Sequence, residues 1–178
     1  DAFQPHYSLR DKGLAYIGMD RELTDNRRLI ACEQEKKIVD GMTLFADVHG
    51  ICCQPHGNRL LFGPSETTND TFTHEQNLII EEGGNVILIA GCAHCGIVNI
   101  IRKAIDVCGK TPTHVLAGMH LVKSGLSDAD EQSFIEKLAH ELLSYKGCQY
   151  YTMHCTGIEQ FQKLKAIMGE RIVYLSCG

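Results

Sequence analysis

Val86-Ile87-Leu88-Ile89-Ala90-Gly91-Cys92-Ala93-His94-Cys95-Gly96 is the stretch from which the fold of this chain can be read. Its first five residues form a short aliphatic run, the signature of a buried strand. Past Gly96 the apolar residues become Ile97, Ile100, Ile101, Ala104, Ile105 and Cys108. That is helical spacing, and Gly109 closes it. His94 therefore falls in the turn between a strand and a helix amino end, where backbone N–H groups are exposed and anions are favoured.

The same arrangement occurs twice more. His114 to Ala117 runs into Gly118-Met119-His120, and Cys148 to Met153 runs into His154-Cys155-Thr156-Gly157. Between them a helix is predicted from Ser127 onward, with Phe134, Ile135, Leu138, Ala139, Leu142 and Leu143 on its apolar stripe. After His154 comes another, carrying Ile158, Phe161, Leu164 and Ile167. Such a strand–helix series places its strands side by side, so their carboxyl ends gather along one edge. Three imidazoles then converge, and imidazole is the commonest metal-ligating side chain. A single histidine is more often a hydrogen-bonded structural residue. Three at successive strand ends share a position that unrelated structural histidines have no reason to share. His94 and His154 are the predicted metal ligands, and His120 is either a third ligand or a group that orients substrate.

Working outward, Asn77 to Ile80 and Val86 to Ala90 read as a hairpin around Glu81-Glu82-Gly83-Gly84-Asn85, with the second strand apolar enough to be covered on both faces. Strands are also expected at Leu29-Ile30-Ala31-Cys32, Lys37-Ile38-Val39 and Met42 to Ala46, with a turn at Asp40-Gly41. Ile172 to Leu175 reads as a last strand. Residues 1–26 show no sustained period and read as irregular. Residues 47–71 read as a long loop, with a short strand at Leu60-Leu61-Phe62, that either wanders over the surface or covers a site.

At 178 residues the chain suits one core, and 1–178 reads as a single domain. A net charge of -5 without a basic block argues against a nucleic-acid footprint. No apolar stretch approaches the ~20 residues that span a bilayer. The nine cysteines are odd in number and lie mostly in or beside apolar runs, as expected of reduced thiols in the cytoplasm. Cys92 and Cys95 also make a Cys-x-x-Cys pair ahead of a helix, the arrangement of dithiol oxidoreductases. A thiol redox protein is thus one alternative function, and packing residues beside His94 the plainer account of those thiols. A metal-free interaction domain is another alternative. Of the other histidines His6, His49, His56 and His140 carry little weight, and His74 somewhat more. Asp47 and Asp70 are the nearest loop carboxylates.

The run Gly91 to Asn99, the later Gly118-Met119-His120-Leu121, and His154-Cys155-Thr156-Gly157 together resemble the metallo-β-lactamase superfamily. They are most similar to the branch that includes the dihydropterin ribofuranosylaminobenzene phosphate synthases, as is the opening Asp1 to Ser8. The resemblance implies an α/β fold, an αββα sandwich with a metal site at one sheet edge. It implies a hydrolase that uses a divalent metal, zinc first and iron or manganese next, on a small-molecule substrate that carries an ester or phosphate. The superfamily's first ligands come from a His-x-His-x-Asp-His motif that these residues lack, and Gly91-Cys92 stands where a bridging Gly-Asp is expected. The expectation is a carboxyl-terminal portion of such a fold, incomplete at the amino end. As a fragment it would bind metal poorly and catalyse little, and its uncovered face would serve pairing with a missing half or a second copy.

Overall fold

The computed structural model describes residues 2–30, 32, 34–122 and 124–176. Among these residues ten strands and three α-helices build a mixed α/β structure. β1 (Tyr7–Arg10), β2 (Gly13–Tyr16) and β5 (Leu61–Phe62) form a small antiparallel sheet in the order β2-β1-β5. The main sheet contains β3 (Glu35–Val39), β4 (Met42–Phe45), β6 (Asn77–Glu82), β7 (Asn85–Ala90), β8 (His114–Ala117), β9 (Gln149–Thr152) and β10 (Ile172–Tyr174), in the order β10-β9-β8-β7-β6-β4-β3. From β7 to β10 neighbouring strands are parallel, so the carboxyl ends of β7, β8 and β9 lie on one edge.

Helices α1 (Ile97–Cys108), α2 (Asp128–Ser144) and α3 (Ile158–Met168) connect these parallel strands. Both α1 and α2 keep the ends their sequences announce. Gly109 follows α1 at φ 71° with its N–H on the Ile105 carbonyl, and the Ser127 side chain accepts from the Asp130 N–H ahead of α2. Val98, Ile101 and Ala104 of α1 and Ile135, Leu138 and Leu142 of α2 join Leu88, Val115 and Tyr150 in the core. The Tyr150 hydroxyl, fully buried, donates to the Leu142 carbonyl at 2.6 Å.

The pleat separates two faces. Along β7, Val86, Leu88 and Ala90 are buried, whereas Ile87 and Ile89 are half-buried. With Ile80, His114, Leu116 and Tyr151 these two line an open 420 Å³ depression. The expectation that β7 is covered on both faces is thus corrected: among the described residues one face alone is fully buried. Its outward side chains are as apolar as its inward ones, so hydrophobicity could not tell the faces apart.

Two further expectations change. The stretch expected to be irregular contains regular structure, because β1 and β2 pair as a hairpin over residues 7–16 with Gly13 at φ 103°. Its strands are short and largely exposed, which left no hydrophobic period to read. No strand forms at Leu29 and Ile30, which are exposed, and Ala31 lies outside the described residues. The loop 47–71 contains a 3-10 turn (His56–Leu60) and β5, which pairs with β1 through Tyr7 and Phe62.

Glu131 of α2 ties the helical layer together. It accepts from Lys163 and Gln160 of α3, and from Ser124 in the segment after His120. Lys163, more than the other partners, holds the Glu131 carboxyl below its ordinary value of 4.5. A carboxyl lowered on folding contributes stability that is present above its unfolded pKa and lost as pH falls through the folded value. Glu131→Gln is therefore expected to lower thermal stability at pH 7 by on the order of 1 kcal/mol. The gap from the parent should shrink steadily as pH falls below 4.5; a gap unchanged at pH 3 would assign the loss to packing instead.

Candidate metal centre

Three turns at one sheet edge build the site. β7 ends at Ala90 and the chain turns through Ala93 at φ 55° to present His94. Beyond β8, His120 sits at φ 45°, and beyond β9, His154 sits at φ 53°. Left-handed backbone is uncommon for residues other than glycine, although histidine tolerates it better than most. Such outliers gather where surrounding structure holds them for a function. All three predicted histidines meet there and line one cavity of 410 Å³ with Cys92 and Cys155. The His94 and His120 rings are 4.2 Å apart, and Cys92 Sγ is 3.7 Å from His154 Nδ1.

The His94 turn is fixed by two distant side chains. Glu75 accepts the His94 N–H at 2.7 Å on one carboxylate oxygen and the Cys95 N–H at 2.9 Å on the other. Asn58 donates to the His94 carbonyl at 2.7 Å, and its Oδ1 lies 2.9 Å from His94 Nδ1. Nδ1–H donates to that oxygen, which leaves the Nε2 lone pair available for ligation, the usual way a neighbour sets the tautomer of a metal-binding histidine. Phe72 stacks on the other side of the ring, with centroids 4.4 Å apart. The anion site expected at this turn is thereby taken, since its first N–H groups already serve the protein's own carboxylate.

The other two turns are joined. Thr156 Oγ1 accepts the Met119 N–H at 3.0 Å and donates to Thr152 Oγ1, which in turn donates to the Ala117 carbonyl at 2.9 Å. The Cys155 carbonyl accepts the N–H groups of Leu121 and Val122. Gly118 is required by this closeness, because a Cβ there would lie 2.8 Å from Cys155 Sγ.

Electrostatics favour ligation. Burial, reinforced by nearby His94, lowers the His120 pKa to about 4, so its imidazole is neutral at pH 7. His120 Nδ1 is buried with no hydrogen-bond partner among the described residues. A buried ring nitrogen without a partner carries an unrecovered desolvation penalty, and a coordinated cation would remove it. Cys92 is held well below the ordinary thiol range, first by a hydrogen bond from Cys155 and then by His94. Cys155 is pushed up by sharing that proton with Cys92 and by burial. The donor atoms of Cys92, His154 and Cys155 lie within 4.8 Å of one another. A neutral imidazole set with a thiolate fits zinc or ferrous iron better than a hard cation.

Cys92 therefore faces the histidines rather than merely packing beside them. It does not pair with Cys95, whose thiol is buried, raised in pKa chiefly by burial, and donates to the Phe72 carbonyl at 3.4 Å. The described cysteines are free thiols. Nothing in the local sequence marked Glu75 or Asn58 for this site, because each acts across a long stretch of chain, and Cys155, though beside His154 in its motif, is not among the donors predicted from sequence.

A second group lines the same cavity. His6, just before β1, has Nδ1 2.7 Å from Asp70 Oδ2, and His74 Nδ1 lies 3.9 Å from Asp70 Oδ1. The His6 and His74 rings are 4.4 Å apart. Burial lowers the His74 pKa. Asp47 pairs with exposed His49 at 2.9 Å, away from either group's hydrogen bonds.

No protein-family model matches the chain. Over 93 residues, 51% of its length, it is 32% identical to the 7,8-dihydropterin-6-methyl-4-(beta-D-ribofuranosyl)-aminobenzene-5'-phosphate synthase of Methanocaldococcus jannaschii, of which it covers 29%. Over 94% of its length it is 28% identical to an uncharacterized protein of the same organism, of which it covers 60%. The crystal structure of a metal-dependent hydrolase of the β-lactamase superfamily superposes on 98% of this chain with a TM-score of 0.76 and 28% identity. The chain spans 65% of that structure.

Proposed function

We propose that this chain, as a member of the metallo-β-lactamase superfamily, carries the later ligands of a metal-dependent hydrolase's centre, with His94 and His154 as ligands and His120 as a third or as a substrate-orienting group. The observation that carries this reading is the buried, unpartnered His120 Nδ1 beside His94, at the edge where Cys92 meets His154. A bound divalent ion, zinc before iron or manganese, lowers the pKa of water and polarises the bond under attack. Around it this chain's residues orient and exclude: Asn58 fixes the His94 tautomer, Glu75 holds the turn, and Phe72 keeps water from one face of the ring.

A small-molecule substrate carrying an ester or phosphate fits the neighbouring 740 Å³ cavity, which is lined by His56, Arg59 and Lys137 and shares Asp70 and Phe72 with the histidine cavity. The Arg59 and Lys137 side chains, rather than the helix amino end, are then the anion-binding element. The 178 residues contain no His-x-His-x-Asp-His sequence, so this chain alone has a partial ligand set and low turnover. The half-buried face of β7, β8 and β9 is then a packing surface for a further layer or a second copy. Free thiols suit the cytoplasm. Among the described residues no helix is long and apolar enough to cross a membrane.

The test is metal content after equilibration with zinc. At least one ion per chain is expected, falling by one in His94→Ala and in His154→Ala. Content unchanged in both variants would sink the assignment.

A further inference from the structure

His6, Asp70 and His74 belong to neither the strand-end turns nor the motifs that placed them. Their potential ligand atoms nevertheless lie within 4.8 Å of one another. His6 is buried, 8% exposed, and Asp70 and His74 are partly buried. The small sheet explains the encounter: β1 pairs with β5, bringing His6 to the segment that carries Asp70 64 residues later. Asp70 is itself held, since its Oδ1 accepts the Phe72 N–H at 2.8 Å and its N–H donates to the Leu61 carbonyl at 3.1 Å. The group stands between two spaces. One is the 410 Å³ cavity it shares with His94, His120 and His154, and the other is a 360 Å³ cavity under residues 63–74.

We propose that His6, Asp70 and His74 form a second divalent-metal site, beside the strand-end histidines in the cavity that both groups and Phe72 line. Two imidazoles and one carboxylate are a donor set used for zinc, ferrous iron and manganese. Donors sharing a zinc at ~2.1 Å lie roughly 3.4 Å apart, so rotations of about an ångström close the set. The 2.7 Å hydrogen bond between His6 Nδ1 and Asp70 Oδ2 already holds two of the three donors together.

The two sites differ in a way that can be read directly. The strand-end site contains thiolate sulfur and the second site contains only nitrogen and oxygen donors. A cobalt(II) titration of the chain, followed by absorbance and calorimetry, is expected to show two ions per chain, one with a near-ultraviolet thiolate charge-transfer band and one without. His6→Gln and His74→Gln, each checked for parent-like circular dichroism, should each lose one ion and keep the band. Cys92→Ser should lose the band and keep the sulfur-free ion. A single ion per chain in the parent that carries the thiolate band, or stoichiometry unchanged in both histidine variants, would overturn the second site. Loss of the sulfur-free ion in both histidine variants alongside a missing band in the parent would uphold it while sinking the strand-end reading.

Discussion

Glu75→Ala is expected to destabilise the chain by about 2–4 kcal/mol and to weaken metal binding at the strand-end site by roughly 10–100-fold. The carboxylate is the acceptor for two consecutive backbone N–H groups, those of His94 and Cys95. Cys95 is 3% exposed, so water cannot easily replace the lost acceptor at its N–H. An orphaned buried donor carries its full desolvation penalty, which exceeds the net value of the bond it made. The turn it anchors also sets where the His94 ring stands, so a relaxed turn moves the ligand. Glu75→Gln sharpens the test, since it keeps one acceptor oxygen and should retain part of both effects. Chemical denaturation paired with zinc calorimetry would check this, and a variant with parent-like zinc affinity would show that Asn58 and Phe72 suffice to place His94.

Asn99→Ala is expected to lower stability by about 2–4 kcal/mol, a drop of roughly 5–15 °C in thermal midpoint for a chain this size. Asn99 is 3% exposed within α1. Its Oδ1 accepts the Cys52 N–H at 3.2 Å, and its Nδ2 donates to the carbonyls of Cys52 at 2.9 Å and Cys95 at 2.8 Å. One amide thus fastens the loop at 50–53 to the turn that follows His94. Approach is so close that a Cβ at Gly96, already at φ 86°, would meet Asn99 Nδ2 at 2.9 Å. Asn99→Asp keeps the acceptor but loses the donor and buries a charge, so it should be no more stable than alanine. Scanning calorimetry decides this; a midpoint within 2 °C of the parent would mean that the loop is held by other contacts.

The parallel part of the fold was legible because each of its strands ends where an aliphatic run ends. Three predicted features, the helix over Ile97–Cys108, the Ser127 cap and the turn at Asp40-Gly41, stand in the structure for the reasons their residues suggested. The antiparallel hairpin of β1 and β2 was not legible, since its strands are short and mostly exposed and gain their order by pairing with β5. The same division runs through the site. His94, His120 and His154 could be found because topology alone carries them to one edge. Glu75 and Asn58 could not, because their roles rest on contacts 19 and 36 residues away in sequence that only the folded chain makes. Cys92 looked like packing or half of a dithiol, and its real neighbour, Cys155, sits 63 residues further on. His6 and His74, set aside as loop residues, meet only after β1 finds β5.

The threonine relay from Met119 through Thr156 and Thr152 to Ala117 makes the turns carrying His120 and His154 a single mechanical unit. The spacing of the two turns is thus set by the protein's own hydrogen bonds. An ion held there as proposed would draw little on conformational entropy, and selectivity among cations would follow from how well each radius suits a gap already set.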